Sequence, residues 1–526
     1  MLSKWKIYQT LSKAGLGSAA IRLENHFTQK YDFSDLTDES LKSYSEPTDD
    51  GYVLIPLTRG QDGLNSFRYC ILAHAFRTRG YTPIIPLCHA DLDLCQRKTC
   101  EKDGKAVCDV CNYAGRSLLS AFGLEGIPIE SLLGETYSPP EVDTTLQTYR
   151  GISVADYAMS STRRFLLRHS IDFEDNYHRE TYLRFLRSAV ILVDMCEALF
   201  EQYPFDAVLA HDDRYIHGGI HLAVAQKHGV TSYSHALGRR EGTILFGDAG
   251  NRSSLPFFTD HDTLQTELAE PLSDSEERRV KEIMAARTEG SDVRINYSAR
   301  TNNSFDSSAD CTVGIFTNLI WDASLEVEEL VFPDVLDWID DTVEYVSRVD
   351  DVQFVLKTHP AEAKFGTDES VEGRIRDGHD PLPDNLEILS PDTDIDTYAL
   401  IRDLDAGIVY NSTVGLEMAY EGVPTIVAGD THYRDLGFTF DPETQDEYFG
   451  LLRNVRDVEM DEEMVARAKR YVHVYFERKH IGFPFFRTRS AGDNEYFKVE
   501  HDEVKPGNEN FDFIVRKILA DEPVLR

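Results

Sequence analysis

Positive charge is scarce in this sequence: 54 Lys and Arg stand against 91 Asp and Glu, a formal net charge of −37 over 526 residues. A chain this acidic repels phosphate backbones, which excludes a general nucleic-acid binder. Long apolar runs are lacking as well. No stretch of 18 uncharged apolar residues occurs, so no membrane-crossing helix is expected. The opening MLSKWKIYQT has no apolar core of the secretory type, and a cytoplasmic protein is expected. Internal repeats and low-complexity tracts are missing too. What is present is globular material, 41% hydrophobic and 11% aromatic. That excludes wholesale disorder and gives room for two to four domains of roughly 100–200 residues.

The acidity is spread along the chain, in DLDL, DDTVEY, DTDIDTY and DVEMDEE, and reads as a solvated surface. Lysine supplies only about a third of the basic residues. A Lys-poor, carboxylate-rich chain is similar to proteins of salt-accumulating halophiles such as haloarchaea, where surface carboxylates keep a protein hydrated in screening salt.

Short apolar runs alternate with helical patterns. Strands are expected at 52–57, 82–87, 207–210 and 232–235, with helices at 65–77, 178–202 and 221–228. A polar, charged stretch at 271–310 marks a linker. Within that linker a helix is expected at 274–287; a second alternation follows, with strands at 312–317, 353–357, 386–389, 406–410 and 425–428 and helices at 329–348, 395–402 and 413–421, and 460–480 forms a final helical segment. The expected organisation is an N-terminal helical segment 1–45, an α/β domain 46–270 with a Cys-rich insertion 88–111, the linker, an α/β domain 311–460, and a C-terminal helix and irregular tail 461–526. Strand–helix alternation implies two doubly wound parallel sheets of Rossmann-like type, whose ligands bind beyond the carboxyl ends of the strands.

Five cysteines, Cys88, Cys95, Cys100, Cys108 and Cys111, follow the spacing C-x6-C-x4-C-x7-C-x2-C. Only Cys108–Cys111 has the gap of a zinc knuckle. Three readings stand: a structural zinc or iron–sulfur cluster on Cys95, Cys100, Cys108 and Cys111, a loop of free or partly oxidised thiols, or a catalytic cluster. Residues 1–25 carry Lys4, Lys6, Lys13 and Arg22 among Trp5, Leu11, Leu16 and Ile21. This segment reads as a helix packed on the domain, with peripheral docking on an anionic membrane as the alternative.

Three strand ends in the second half carry the chemistry. The first is Thr317–Asn318 with Trp321 and Asp322. The second is Lys357-Thr358-His359-Pro360. The third is Asn411-Ser412-Thr413-Val414-Gly415-Leu416-Glu417. An imidazole at His359 can donate to a leaving phosphate, and Lys357 or Lys364 can add positive charge. Asn411 or Ser412 caps the following helix, whose first N–H groups and dipole suit a phosphate. Gly415 permits close approach, and Glu417 can accept from ribose hydroxyls.

KTHPAE, the run SPDTDIDTYALIRDLDAGIVYNSTVGLEMAYEGVPTIVAGDTHYRDLGFTFDP and FTNLIWDAS resemble the capsule and surface-polysaccharide biosynthesis family over about 310–450. The first half resembles it more loosely, at VLAHDDRYIHGGIHLAVAQKHGV. The resemblance implies a GT-B glycosyltransferase, two Rossmann-like domains facing a cleft. The His-Pro and Ser-Thr pairs also resemble those of bacterial sialyl- and Kdo-transferases that use CMP-sugars. It implies that His359, Pro360, Ser412 and Thr413 bind the donor nucleotide and that Glu417 faces its ribose. Implied partners are a nucleotide-sugar donor and a glycan or lipid-linked acceptor.

Transfer needs a base for the acceptor hydroxyl. The candidates follow the strand at 207–210: Asp212, Asp213 and His211. His217-Gly218-Gly219, His235, Arg239, Arg240 and Arg59-Gly60 are candidates for holding an acceptor or an anionic group. No DxD-type pair stands at a strand end of the second domain, and no cofactor is expected for catalysis. Three alternatives remain open: a polyol-phosphate transferase, a sugar-nucleotide 2-epimerase, and a binding subunit of a surface-glycan complex.

Overall fold

The computed structural model describes residues 4–28, 30–44, 50–61, 63–97, 104–249, 261–292, 305, 309–323, 330–490 and 493–526. They fall into two compact units. One is drawn from 1–165, 172–250 and 481–524, the other from 166–171, 251–480 and 525–526.

In the first unit, helices α1 (Lys4–Lys13) and α2 (Gly17–Thr28) precede the sheet. Strands β1 (Gly51–Leu54), β2 (Tyr81–Ile84), β3 (Phe205–His211), β4 (Ser232–Leu237) and β5 (Thr243–Asp248) follow, with helices α3 (Leu64–Arg77), α4 (Gly104–Ala121), α5 (Asn176–Gln202) and α6 (Ile216–Lys227) between them. The order across the sheet is β2-β1-β3-β4-β5, then the short strand Ile481–Gly482. The first four are parallel, and β5 returns antiparallel to β4. Strand period two separates the cores. Val53, Ala207 and Leu209 pack on one face. Leu54, Val208 and Ala210 pack on the other. Burial on both faces is why these strands read as continuous apolar runs.

Two expectations change here. The Cys-rich stretch is not all loop, since Cys108 and Cys111 lie on α4. The C-terminal tail is not irregular: residues 481–524 add a strand, the hairpin Phe486–Ser490 with Asp493–Tyr496, and the helix Glu509–Leu519 to the first unit. Phe483, Phe485, Phe511, Ile514 and Ile518 are buried in its core, which is the physical reason.

The second unit carries α7 (Asp274–Glu289), β6 (Thr312–Phe316), α8 (Val335–Val346), β7 (Gln353–Lys357), α9 (Ala361–Phe365), β8 (Leu386–Leu389), α10 (Thr397–Arg402), β9 (Ala406–Val409), α11 (Val414–Glu421), β10 (Thr425–Val427) and α12 (Glu462–Val472). All five strands are parallel, in the order β8-β7-β6-β9-β10. Val313, Ile315, Phe354 and Ile408 face one core. Phe316, Val355 and Val409 face the other. Much of the expected linker is structured: α7 starts with a capping box at Ser273 and buries Val280, Ile283 and Met284 in the second unit. Its remainder at 293–304 and 306–308 lies outside the described residues. Residues 166–171, expected inside the first domain, belong to the second unit. The Glu369 carboxylate accepts from the N–H groups of His169 and Ser170 at 3.0 and 2.8 Å and from the Ser170 hydroxyl at 2.8 Å.

Trp338 and Tyr448 are fully buried, and the indole N–H donates to the Tyr448 hydroxyl at 3.0 Å, with Thr342 Oγ1 2.8 Å from the same oxygen. Tyr448→Phe therefore strands a buried indole donor. It should lower unfolding stability by about 1–3 kcal/mol in urea titration.

Candidate functional site

A parallel sheet leaves a crevice where the connections of two neighbouring strands depart to opposite sides. In the second unit this point lies between β6 and β9, with β7 next to β6. Register aligns the last residues Phe316, Lys357 and Val409, so the segments after them share one edge. The strands that lead into His359 and Ser412 are two strand spacings apart, about 10 Å, with the strand leading into Asn318 between them. His359, Pro360, Asn318, Ser412 and Thr413 are all half-buried, so this edge is reachable.

The backbone sets the His359 tautomer. The Ala361 N–H donates to His359 Nδ1 at 3.1 Å, so a neutral ring carries its proton on Nε2 and is a donor there. Pro360, at φ −60°, starts the short α9 that supplies this N–H. Asn318 Oδ1 receives the Asn411 N–H at 3.5 Å and ties two of the strand ends together. Asn411 itself is buried.

The start of α11 differs from the expectation of open amides. Val414 N–H donates to Ser412 Oγ at 3.3 Å, Gly415 N–H to Ser412 O at 3.1 Å and Leu416 N–H to Thr413 O at 3.1 Å. These local bonds occupy the first-turn donors, and the Ser412 and Thr413 hydroxyls become the groups suited to an anion. Gly415 serves packing and not ligand approach: a Cβ there would stand 2.2 Å from the Tyr433 hydroxyl. Tyr433 in turn donates to the Ser412 carbonyl. Glu417, expected to face a ribose, is buried. Its Oε1 accepts from Arg287 at 2.6 Å and from the Tyr398 hydroxyl at 3.0 Å. The Arg287 guanidinium also lies 4.3 Å from the centre of the Phe476 ring. Lys357 is buried as well. Its amine donates to the Ile395 carbonyl at 3.2 Å, and burial lowers its pKa to about 8 against the opposing pull of Asp396. Trp321 is buried and donates to Thr367.

Arg287, Tyr398 and Tyr433 escaped sequence reasoning. Arg287 had a signal, because its spacing from Val280, Ile283 and Met284 puts it on the buried face of α7. A buried arginine calls for a carboxylate.

The first unit has a corresponding point between β1 and β3. His211 ends β3, and Asp212 and Asp213 follow, both half-buried. His211 Nδ1 donates to the His235 carbonyl at 3.0 Å, and its N–H to the Tyr69 hydroxyl at 2.5 Å. The neutral ring therefore has its lone pair on Nε2, the form a general base needs. Asp213 lies 3.7 Å from the Arg214 guanidinium. Asp212 takes φ +72°, a left-handed conformation that aspartate tolerates better than most residues. Gly218 and Gly219 leave room for this turn: Cβ atoms there would fall 1.8 Å from Asp212 O and 2.4 Å from Asp213 O. His217 and His235, candidates for an acceptor site, are buried instead. Burial holds both well below the ordinary histidine pKa, helped by Arg59 near His217 and Arg68 near His235. His217 Nδ1 lies 3.1 Å from Thr58 Oγ1. Gly60 packs its backbone on α4, and of the three candidate arginines Arg239 is exposed and Arg59 and Arg240 are half-buried.

Of the four expected metal ligands, Cys100 lies outside the described residues. Cys108 and Cys111 are one turn apart on α4, and Cys95 is half-buried. Cys111 Sγ accepts the Gln61 N–H at 3.3 Å, and burial pushes its thiol pKa up. Among the described residues no three His, Cys, Asp or Glu side chains gather as a metal would need. Among them, too, no helix is long and apolar enough to cross a membrane.

No protein-family model matches this chain, and no curated protein does. Among solved structures, the beta Kdo 2,4 transferase KpsC of Thermosulfurimonas dismutans is similar at 12% identity and TM-score 0.36, over 60% of this chain and 87% of that one. The beta Kdo 2,7 transferase KpsC of the same organism aligns at 16% and 0.31, over 52% and 79%. The S. aureus MnaA–UDP co-structure aligns at 11% and 0.30, over 89% and 96%. At these values the activities of those proteins do not carry over to this chain.

Two measurements check the internal chemistry of the second unit. Arg287→Met leaves Glu417 buried without its cation and should cost about 3–5 kcal/mol in denaturant unfolding. Glu362, whose N–H donates to the His359 carbonyl at 3.0 Å, is buried, and burial raises its pKa to about 7, with Glu372 adding and the Val371 N–H opposing. The folded state then holds a proton that the unfolded state releases above its ordinary 4.5. Stability from this group is full below pH 4.5 and declines as pH rises to 7. Glu362→Gln should flatten that decline by about 2–3 kcal/mol between pH 5 and 8; an unaltered pH–stability curve would refute the shift.

Proposed function

We propose that the protein is a GT-B-type glycosyltransferase that moves a sugar from a nucleotide-sugar donor to a glycan or lipid-linked acceptor in surface-polysaccharide assembly. One observation carries this reading: His359, Asn318, Ser412 and Thr413 share the ligand edge of one parallel sheet at its switch point. An Nε2–H donor and two hydroxyls, carried on strands about 10 Å apart, suit a phosphodiester linked to a sugar. The motif resemblance over about 310–450 supports the same assignment.

The proposed step is a direct, inverting displacement. The acceptor oxygen bonds to the anomeric carbon while the bond from that carbon to the donor phosphate oxygen breaks. The leaving electron pair goes to the nucleotide phosphate, held by His359 Nε2–H and the Ser412 and Thr413 hydroxyls. The acceptor proton goes to a base. His211, Asp212 and Asp213 are the candidates, and the bond from His211 Nδ1–H to the His235 carbonyl favours His211 Nε2. The leaving charge is carried by these side chains, so the step is proposed to run without a catalytic metal. An epimerase would use the same donor with no acceptor, and a polyol-phosphate transferase would break the other side of the phosphate.

A screen of CMP-, UDP-, GDP- and CDP-linked donors, with and without glycan acceptors, tests the reading. Acceptor-dependent release of free nucleotide is expected. His359→Ala should lower kcat by about 10²–10³ with the circular-dichroism spectrum unchanged. Wild-type turnover in that variant, or donor conversion with no acceptor, would overturn the proposal.

A further inference from the structure

The strongest feature outside the strand-end sites is on α2. Leu16, Leu23 and Phe27 are 53%, 62% and 77% exposed, the three most exposed bulky apolar side chains among the described residues. Single exposed leucines need no explanation, but these three are aligned. Steps of seven and four residues place them along one side of α2 and its first turn, where Leu16 accepts the Ala20 N–H. This stripe is not the helix's packing face. Ile21 is buried beside Ala114 of α4, with Tyr8, Val110 and Tyr113 around it. Asp109 of α4 accepts from the Ser12 hydroxyl and sits where a Cβ on Gly17 would fall, so the turn from α1 to α2 is pinned. The hairpin is thus anchored by one face while its apolar stripe faces water.

The charge beside the stripe is opposite to that of the protein. Residues 1–30 hold Lys4, Lys6, Lys13, Arg22 and Lys30 against Glu24 alone, 5 − 1 = +4, within a chain of −37. Four-residue steps put Arg22 and His26 in a row along the stripe, with Lys30 just beyond the helix; all three are exposed. An apolar stripe bordered by cations is the chemistry of a helix lying in a bilayer interface. A second copy of the chain is disfavoured as occupant, because a two-fold contact would oppose the two cationic rows and two strongly acidic bodies. An anionic bilayer complements the row. The acidic remainder is screened within about 8–10 Å at physiological salt.

We propose that α2 is a peripheral docking element for anionic lipid bilayers, with Leu16, Leu23 and Phe27 entering the interface and Arg22, His26 and Lys30 meeting lipid phosphates. The proposal does not depend on the transferase reading. The test is flotation of the full chain with vesicles of phosphatidylcholine alone or with about a third phosphatidylglycerol. Binding about tenfold or more tighter to the anionic vesicles is expected, weakening as salt rises. Leu23→Ser with Phe27→Ser, and separately Arg22→Glu with Lys30→Glu, should each reduce binding about tenfold with the thermal unfolding midpoint unchanged, since all four side chains are exposed. No flotation by the parent chain, or equal flotation by the variants, overturns the proposal. So does a concentration-dependent dimer that the same substitutions abolish, which would make a second copy the occupant.

Discussion

Where two neighbouring parallel strands send their connections to opposite sides, no connection covers their carboxyl ends, and the placement of both groups of candidate residues follows from that constraint. It occurs twice, between β1 and β3 and between β6 and β9. At the second point it sets an imidazole, an amide and two hydroxyls along one edge. At the first it sets a histidine and two aspartates. The residues doing this are few, and the rest of each unit holds the strand ends in register.

The two half-exposed histidines at these edges are prepared oppositely by the backbone. His359 Nδ1 accepts from the Ala361 amide, which makes Nε2 a donor, whereas His211 Nδ1 donates to the His235 carbonyl, which makes Nε2 an acceptor. One neutral ring is a hydrogen-bond donor at Nε2 and the other an acceptor there. By contrast His217, His221 and His235 are buried and held neutral, with burial the main cause in each. Sequence position alone could not separate these groups, since all five lie at or near strand ends or on the helix that follows.

The fold class was legible because buried parallel strands read as apolar runs: QFVLK is a strand over the residues expected, and so is the edge strand LEIL, although its Glu387 is exposed. Helix starts were legible where a cap marks them, as at Ser273. Cys108 and Cys111 drew the eye to metal chemistry and hid the 18-residue helix around them. Gly415 and Glu417 lie on the helix expected after 412, yet what they touch, Tyr433 and Arg287, comes from elsewhere in the chain. Residues 1–25 stood out as basic and apolar, yet which side of α2 stays exposed was not legible, for a similar reason. Pattern shows that a helix has apolar residues on several sides, but only the packed structure shows which side a neighbour covers.

The return of residues 481–524 to the first unit has a consequence for biogenesis. As the chain leaves the ribosome, the sheet built from 51–248 lacks the phenylalanines at 483, 485 and 511 and the isoleucines at 514 and 518 that complete its core. The second unit, drawn almost wholly from 251–480, is synthesised in full before that supplement arrives. Domains usually mature in the order of synthesis. Here the half that emerges first is the half that must wait, its core completed only when the helix Glu509–Leu519 has been made.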